Sequence, residues 1–153
     1  MESEREETIM EILNTGNEHI LTHAIKQLIV RLNQVYGDLQ VTPLIHILMY
    51  RQSEPLHTII ALILCLIQNG TDINKVIQDT DDEFVFALFV PINIYLVACM
   101  ENNTITKNKM LSIITLLIAN KANTNIKMPN GVSIYQLISN FKKLSEQSDV
   151  KIN

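Results

Sequence analysis

Histidine and cysteine side chains are the residues of this chain best suited to bind a metal or to catalyse a reaction. His19 and His23 are four residues apart in a segment predicted to be helical, a spacing that would present two imidazoles to one metal ion. No HExxH motif surrounds the pair, and no cysteine or further histidine is near in the sequence. We therefore interpret them as surface histidines of a helix and predict no metal site.

Cys65 and Cys99 would need a base such as His46 to act as nucleophiles. All three residues lie in apolar segments. A thiol buried in an apolar helix has no reason to ionise. We interpret the two cysteines as reduced core thiols of a cytosolic protein, and His46 as a core or half-buried histidine.

The acidic run Asp79, Asp81, Asp82 and Glu83 suggests calcium binding. It lacks the alternating ligands, the central glycine and the terminal bidentate glutamate of an EF-hand loop, so a solvated loop tip is the preferred interpretation. The chain has only 4 glycines and no glycine-rich phosphate loop, and no pair of carboxylates stands at a catalytic spacing. The sequence therefore predicts no cofactor and no enzymatic activity.

Composition and charge exclude further classes of function. Of the 153 residues, 47% are hydrophobic and 18% are charged, which is enough apolar surface for a buried core. A net charge of -4 does not provide the clustered Lys/Arg surface that nucleic acid requires. The acidic start MESEREE is unlike a secretory signal, and the run IIALILCLI is shorter than the roughly 20 residues that cross a bilayer. We expect a soluble, cytoplasmic protein that binds neither nucleic acid nor membrane.

The elements that must position these residues follow a repeated pattern. Thr42-Pro43-Leu44 and Val90-Pro91-Ile92 each open a predicted helix, because proline is tolerated in the first turn. Each is followed by a polar connector and by a second apolar helix with an Asn-rich end, ALILCLIQNGTDIN in one copy and SIITLLIANKANTN in the other. Gly70 suits the left-handed position that closes a helix, and Lys121 replaces it in the later copy. Such self-similarity predicts a helical repeat protein.

The pattern resembles the ankyrin repeat. The residues in register with it are Thr42, Pro43, Leu44, Gly70, Asp72 and Asn74 in one copy, and Pro91, Ile92, Ala122 and Asn125 in the next. Weaker copies flank these two. The resemblance implies an all-α solenoid of about four helix-turn-helix repeats, the last one incomplete, in a single domain over residues 1–153.

We place the repeats at about 5–37, 40–78, 88–128 and 129–144, followed by a polar tail at 145–153. The predicted helices are 4–14, 18–34, 43–50, 57–68, 91–100, 107–120 and 133–144. The alternative architecture is a non-ankyrin helical bundle that uses the same amphipathic faces.

Departures from the regular ankyrin repeat indicate which group of ankyrin proteins the chain resembles. The first helices carry Ile12-Leu13, Ile47-Leu48 and Tyr95-Leu96 where ankyrin repeats usually have two alanines. The repeats are also mostly longer than the roughly 33 residues of the regular unit. Together with the abundance of Ile and Asn, these features resemble the divergent ankyrin proteins of poxviruses. An F-box-like segment often follows the repeats in that group, and we find none, which argues against recruitment of a ubiquitin ligase.

The resemblance implies a non-enzymatic module that binds another protein. In a viral setting the partner would be a host signalling or antiviral protein, sequestered or competed for in the host cytoplasm, with the nucleus as the other compartment. Ankyrin repeats bind through hairpin tips and first helices. The corresponding residues here are Gln40, Ile45, Met49, Gln78, Asp79, Asp81, Asp82, Asn93, Lys127, Met128 and Asn130.

Three alternatives stay open at this point. The long connectors 51–57 and 101–109 are a second candidate surface, since long loops commonly carry function. A different class of protein, an enzyme or small-molecule binder, would use a cleft lined by His46, Tyr95 and Cys99. At the C-terminal end no helix follows to cover an apolar face that includes Ile134 and Phe141, so either the tail or a second copy of the chain covers it. The second case predicts a homodimer.

Overall fold

The computed structural model describes residues 2–37, 40–78, 84–126, 131, 133–136 and 139. In this part of the chain the fold is all-α, with one short two-stranded β-sheet beside six helices. The elements are α1 (Glu2–Thr15), α2 (Glu18–Lys26), α3 (Pro43–Tyr50), α4 (Leu56–Gln68), β1 (Ile77–Gln78), β2 (Phe84–Val85), α5 (Phe89–Met100) and α6 (Thr104–Ala119). The chain divides into two compact units, Met1–Ala122, which contains all of these elements, and Asn123–Asn153. The predicted repeat boundaries and the single domain stay predictions.

In the first unit the helices form two rows. In the first row, α3 packs against both α1 and α5, and in the second row, α4 packs against both α2 and α6. Each first-row helix also packs against the second-row helix that follows it in the chain. Leu44, Ile47, Leu62 and Leu66, on the two central helices α3 and α4, are buried almost completely. The main core therefore lies where the two rows meet.

Side chains fix where three of the helices begin. The side chain of Asn17 accepts a hydrogen bond from the third backbone N–H of α2, and Thr42 and Asn103 do the same for α3 and α6. Each cap satisfies one of the N–H groups that a helix start leaves unpaired. In α3 the cap is followed directly by Pro43, which has no N–H to satisfy. The sequence prediction of α3 as residues 43–50 is confirmed.

The three second-row helices end in the same way. The residue after the cap is left-handed, with φ of 57° at Leu28, 105° at Gly70 and 73° at Lys121. The next backbone N–H then donates to a carbonyl in the last turn of the helix, from Ile29 to Ala24, from Thr71 to Leu66 and from Ala122 to Leu117. This closure satisfies carbonyls that a helix end otherwise leaves unpaired. Glycine is the residue that adopts the conformation without a steric cost, and it is present in only one of the three.

Replacing Lys121 with glycine should therefore stabilise the protein by about 1 kcal/mol, because a left-handed backbone costs a residue with a Cβ about 1–2 kcal/mol and glycine little. The measurement is urea denaturation of the wild type and of Lys121→Gly. Lys121→Ala is the matched control, since it removes the same side chain and keeps the strain. Equal stability of the glycine and alanine variants would contradict the prediction.

A β-hairpin precedes each of the two later first-row helices. Before α3, Tyr36 and Val41 exchange both backbone hydrogen bonds, at 2.8 and 3.2 Å. Before α5, β1 and β2 pair antiparallel, with Ile77 opposite Val85 and Gln78 opposite Phe84. We call these the first hairpin, described at residues 36–37 and 40–41, and the second hairpin, described at residues 77–78 and 84–85. They recur at equivalent places in the order of the helices.

Two asparagines connect the ends of successive second-row helices. The side chain of Asn33 donates to the carbonyl of Gly70 at 3.1 Å and accepts from the N–H of Asp72 at 2.6 Å. Asn74 donates to the carbonyl of Lys121 at 3.1 Å. In both cases an asparagine that follows one second-row helix donates a hydrogen bond to the carbonyl of the left-handed residue that ends the next second-row helix. The same contact is thus made twice along the row.

The helix predicted over 18–34 is wrong in its second half, because α2 ends at Lys26. Val30 and Leu32 beyond it are buried and continue the apolar pattern. The left-handed turn at Leu28 nevertheless breaks the helix, and the N–H of Arg31 donates to the Tyr36 hydroxyl at 3.0 Å. The other predicted helices in the first unit match observed helices, with ends that differ by a few residues.

The second unit is described only in part. The hydroxyl of Ser133 accepts from the N–H of Gln136, and the side chain of Gln136 accepts from the N–H of Ser133. This reciprocal capping pair starts the helical residues 134–136. The observed start agrees with the helix predicted over 133–144, whose later part lies mostly outside the described residues.

Candidate partner-binding groove

Four of the residues predicted to bind a partner have described side chains. Gln40 and Asn93 are exposed, Met49 is half-buried and Ile45 is buried. Gln78 lies in β1 and pairs with Phe84. The remaining six lie outside the described residues: Asp79, Asp81, Asp82, Lys127, Met128 and Asn130.

Ile45 is not on the open surface, which corrects the sequence prediction. Only 1% of it is exposed, and its neighbours from Pro43 to Leu48 are buried as well. The reason is the position of α3, which packs against α1 and α5 in its own row and against α4 in the other. A helix enclosed in this way has no outward face over most of its length.

Gln40 lies instead at the edge of a groove between α1 and the first hairpin. The groove has a volume of about 680 Å³. Its lining residues are Glu6, Glu7, Met10, Glu11 and Asn14 of α1, and Gly37 and Gln40 of the hairpin. The three glutamates are exposed. We call this the acidic groove.

The carboxylates of the acidic groove form no ion pair among the described residues, where the one ion pair is that between Arg51 and Glu54. Glu6 accepts a hydrogen bond from the backbone N–H of Gly37 at 3.4 Å, which links α1 to the hairpin. Met49 and Asn93 do not line this groove. Of the predicted partner-binding residues that are described, the structure therefore places only Gln40 there.

A smaller cavity adjoins the acidic groove and shares Met10, Asn14 and Gly37 with it. Its volume is about 240 Å³. The other lining residues are Tyr36 and Val41 of the first hairpin, and His46 and Tyr50 of α3. We call this cavity the inner pocket. It lies between α1, the first hairpin and α3.

His46 is a buried polar residue that lines the inner pocket. The residue is 4% exposed, and its ring lies 4.9 Å from the ring of Tyr50, tilted by 47°. Its Nε2 atom has no hydrogen-bond partner in the described structure. Burial lowers the pKa of His46, and the positive charge of Arg51 lowers it further. The imidazole is therefore neutral at pH 7.

The lowered pKa of His46 predicts that stability falls as the pH drops below about 6.5, the value of a histidine in an unfolded chain. Below that pH the unfolded state takes up a proton that the folded state does not bind. The slope can reach about 1.4 kcal/mol per pH unit, until the folded pKa is passed. Urea denaturation between pH 7.5 and 5 measures it. His46→Gln lacks this titration, so parallel pH curves for wild type and variant would contradict the prediction.

Of the three residues of the alternative enzymatic cleft, only His46 lines the inner pocket. His46 stacks on Tyr50 in the inner pocket, whereas Tyr95 and Cys99 lie one turn apart on α5. Burial raises the pKa of Tyr95, and a hydrogen bond with Cys99 raises it further. Neither Tyr95 nor Cys99 lines the inner pocket or the acidic groove.

The remaining histidine and cysteine interpretations agree with the structure. His19 and His23 are both exposed on α2, which confirms them as surface histidines. Cys65 is buried and Cys99 half-buried. Burial raises the pKa of Cys65 against an opposing effect of Lys26, which disfavours the thiolate.

The connector at 51–57 does not protrude freely, because two cations hold it. Arg51 is buried and donates to the carbonyls of Leu13 and Gly16, at 2.9 and 2.7 Å. Lys109 of α6 donates to the carbonyls of Gln52 and Glu54. The connector therefore fixes α1 and α6 to the end of α3.

The turn between α5 and α6 is the more open of the two connectors. Met100 is 80% exposed and Ile105 84% exposed, one on each side of the turn. Val97, one turn before Met100 on α5, is 46% exposed. These three residues form an apolar tip, the second candidate surface on the first unit.

Known proteins do not identify either surface, because no protein-family model and no curated protein matches this chain. Among the described residues, no group of three His, Cys, Asp or Glu side chains is placed to hold a metal ion. None of the described helices is long and apolar enough to span a membrane.

Sequence reasoning missed Glu7, Glu11 and the inner pocket. Glu7 and Glu11 are four residues apart, so the sequence alone could have predicted that both lie on one face of α1. What the sequence did not contain was the position of the first hairpin against that face. The hairpin forms one side of the groove, and His46 lines the adjoining inner pocket because α3 follows the hairpin directly.

Proposed function

We propose that the chain is an ankyrin-type solenoid that acts as a non-enzymatic protein-binding module. The two rows of helices, the hairpins before α3 and α5, and the shared closure of α2, α4 and α6 support this architecture. Stacked repeats place each hairpin and first-row helix beside the next, which produces an extended rigid surface. A helical bundle with the same apolar faces has no reason to repeat these features.

The acidic groove is the observation that carries the functional proposal. It lies where the first hairpin meets α1, and it contains Gln40, which the resemblance to ankyrin repeats selects as a contact residue. Its exposed carboxylates have no ionic partner within the described residues. An open, charged and rigid surface suits recognition of a protein of opposite charge.

The partner we propose is a host signalling or antiviral protein, bound in the host cytoplasm. This rests on the resemblance of the bulky first helices and irregular repeats to those of poxvirus ankyrin proteins. The mechanism is sequestration or competition, since a surface that occupies its partner's own binding site needs no catalytic group.

Affinity purification from candidate host cells tests the function. We expect the wild type to recover a reproducible set of proteins that is lost in at least one of three surface variants. The second-hairpin variant changes Asp79, Asp81 and Asp82 to Ala, the groove variant is Glu11→Lys, and the tip variant combines Met100→Ser with Ile105→Ser. Deleting the connector 51–57 is unsuitable, because it removes the buried Arg51.

Each result of that purification is informative. If all three variants recover the same proteins as the wild type, the surface assignment is wrong. If the wild type recovers nothing above an empty resin, the proposed function is wrong. Circular dichroism of each variant shows that a loss of binding is not a loss of folding.

Self-association through the C-terminal end stays a prediction. Ile134, one of the apolar residues on which it rests, is completely buried. The others, Leu137, Ile138 and Phe141, lie outside the described residues. A strictly monomeric mass from light scattering over a wide range of concentrations would reject the dimer.

A further inference from the structure

The acidic groove and the inner pocket form one continuous site with two chemically different ends. The two cavities share the side of α1 at Met10 and Asn14, and the hairpin residue Gly37. One end carries exposed carboxylates, and the other end carries a buried, neutral imidazole among apolar and aromatic side chains. A ligand that fits both ends must carry a cation next to an apolar group.

We propose that this site binds a linear segment of another protein in which a Lys or Arg lies next to an anchor side chain. The cation pairs with Glu7 and Glu11, and the anchor, apolar with a hydrogen-bonding tip, enters the inner pocket and reaches Nε2 of His46. The inference rests on the proposed function, whose binding surface it narrows to one site.

The cationic half of the proposal follows from the placement of the glutamates. Glu7 and Glu11 stand at i and i+4 on α1, where two like charges disfavour the helix by about 0.2–0.5 kcal/mol. The helix dipole offsets this only within the first turn, and α1 already begins at Glu2. A bound cation removes the repulsion between the two carboxylates. Charge complementarity therefore selects Lys or Arg at the outer end.

The anchor half follows from the inner pocket. A water molecule occupies about 30 Å³ of liquid, so a cavity of about 240 Å³ accommodates a branched or aromatic side chain. Tyr36 and Val41 give the cavity an apolar wall. His46 also lines the cavity, and a polar group at the tip of the anchor supplies the hydrogen bond that its buried Nε2 lacks.

The order of the two side chains follows from the exposed carboxylates at the outer end and from the apolar and aromatic lining of the inner pocket. The positive charge of Arg51, which contributes to the lowered pKa of His46, also disfavours a second cation beside the imidazole. The Lys or Arg therefore occupies the outer groove, and the inner pocket takes an uncharged side chain. Tyr, Thr and Asn have the required combination of carbon surface and hydrogen-bonding tip.

Selection of a phage-displayed library of random dodecapeptides on the immobilised full chain tests the proposal. We expect enriched peptides to carry Lys or Arg beside an uncharged anchor. A synthetic peptide of the enriched sequence, labelled with fluorescein, should lose about tenfold in affinity with the double variant Glu7→Gln and Glu11→Gln, and about as much with His46→Leu. Its affinity should also fall as the salt concentration rises.

Control variants show whether a loss of affinity is specific to the proposed site. Glu101→Gln removes a carboxylate from the exposed turn between α5 and α6 and should leave the affinity unchanged. His46→Gln, which retains a hydrogen-bonding side chain, should lose less affinity than His46→Leu. If His46→Leu does not fold, as judged by circular dichroism, the comparison of His46→Gln with the wild type takes its place, and an unchanged affinity then counts against the anchor.

Several outcomes would overturn the proposal. Enriched peptides without Lys or Arg, or binding that ignores the glutamate and histidine variants, would place the site elsewhere and leave the proposed function standing. Full displacement of the peptide by spermine at an equal concentration would identify a polyamine site instead. No enriched peptide, together with a partner recovered from host cells, rejects only this inference, whereas failure of both experiments rejects the function as well.

Discussion

Replacing Arg51 with methionine should lower the free energy of unfolding by about 3 kcal/mol. The guanidinium is buried and donates to the carbonyls of Leu13 and Gly16 and to the carboxylate of Glu54. Methionine keeps much of the aliphatic volume but donates no hydrogen bond. It leaves the two carbonyls at the end of α1 without a partner, at a cost of about 1–3 kcal/mol each where water does not reach them. Urea denaturation followed by circular dichroism measures the loss.

Two further variants separate the hydrogen bonds of Arg51 from its ion pair. Glu54→Gln keeps an acceptor, and the Glu54 side chain is 33% exposed, so a change of no more than about 0.5 kcal/mol is expected. Arg51→Lys should fall between wild type and methionine, because an ammonium does not reproduce the guanidinium fork. If Arg51→Met were as stable as the wild type, the buried charge would contribute no net stability.

Gly16→Ala should destabilise the protein by about 2 kcal/mol. A Cβ built on Gly16 would lie 2.5 Å from the carbonyl oxygen of Ile12 and 3.3 Å from Cγ2 of Ile20. The first distance is too short for any contact, and the oxygen is also held by the N–H of Gly16 at 2.9 Å. The turn between α1 and α2 must therefore shift, a cost comparable to inserting a methyl group into a packed core.

Thr15→Ala is the control for this turn, because it changes the neighbouring, exposed residue without adding an atom. Its expected loss is about 0.5 kcal/mol, from the hydrogen bond to the carbonyl of Glu11. Arg51 donates to the carbonyl of Gly16 itself, so Gly16→Ala and Arg51→Met act on one junction. Their double variant should lose less than the two single losses together. Full additivity would show that the turn does not move.

Local sequence signals were sufficient to predict the end of a helix wherever a capping residue or a proline marks it. Thr42 and Pro43 start α3, and Asn69 and Gly70 end α4, at the residues that the sequence indicates. The end of α2 has no such mark, since Leu28 is an ordinary helix former that is forced into a left-handed conformation. The contacts of the residues after it, rather than the local sequence, determine that boundary.

The candidate site was less predictable because it depends on contacts between distant parts of the chain. Gln40 could be selected from its place in the repeat. Ile45 was assigned to the surface from its place in the ankyrin repeat, and the sequence of α3, apolar at almost every position, does not distinguish the faces of the helix. The sequence predicted His46 to be a core or half-buried histidine, and the residue is buried. Whether its Nε2 finds a hydrogen-bond partner depends on how Tyr50 and the first hairpin are placed around the ring. The hydrophobic periodicity of the sequence does not predict such contacts.

The row arrangement also bears on how the chain folds during synthesis. α1 packs against α2 and α3, and α4 packs against α2 and α3, so each of these helices can find a partner before α5 leaves the ribosome. Arg51 can bind the carbonyl of Leu13 at that stage. Lys109, which holds the same connector, arrives more than fifty residues later with α6. Nascent chains that end before Lys109 are therefore expected to fold with a connector that is closed toward α1 and still accessible to proteases on its other side.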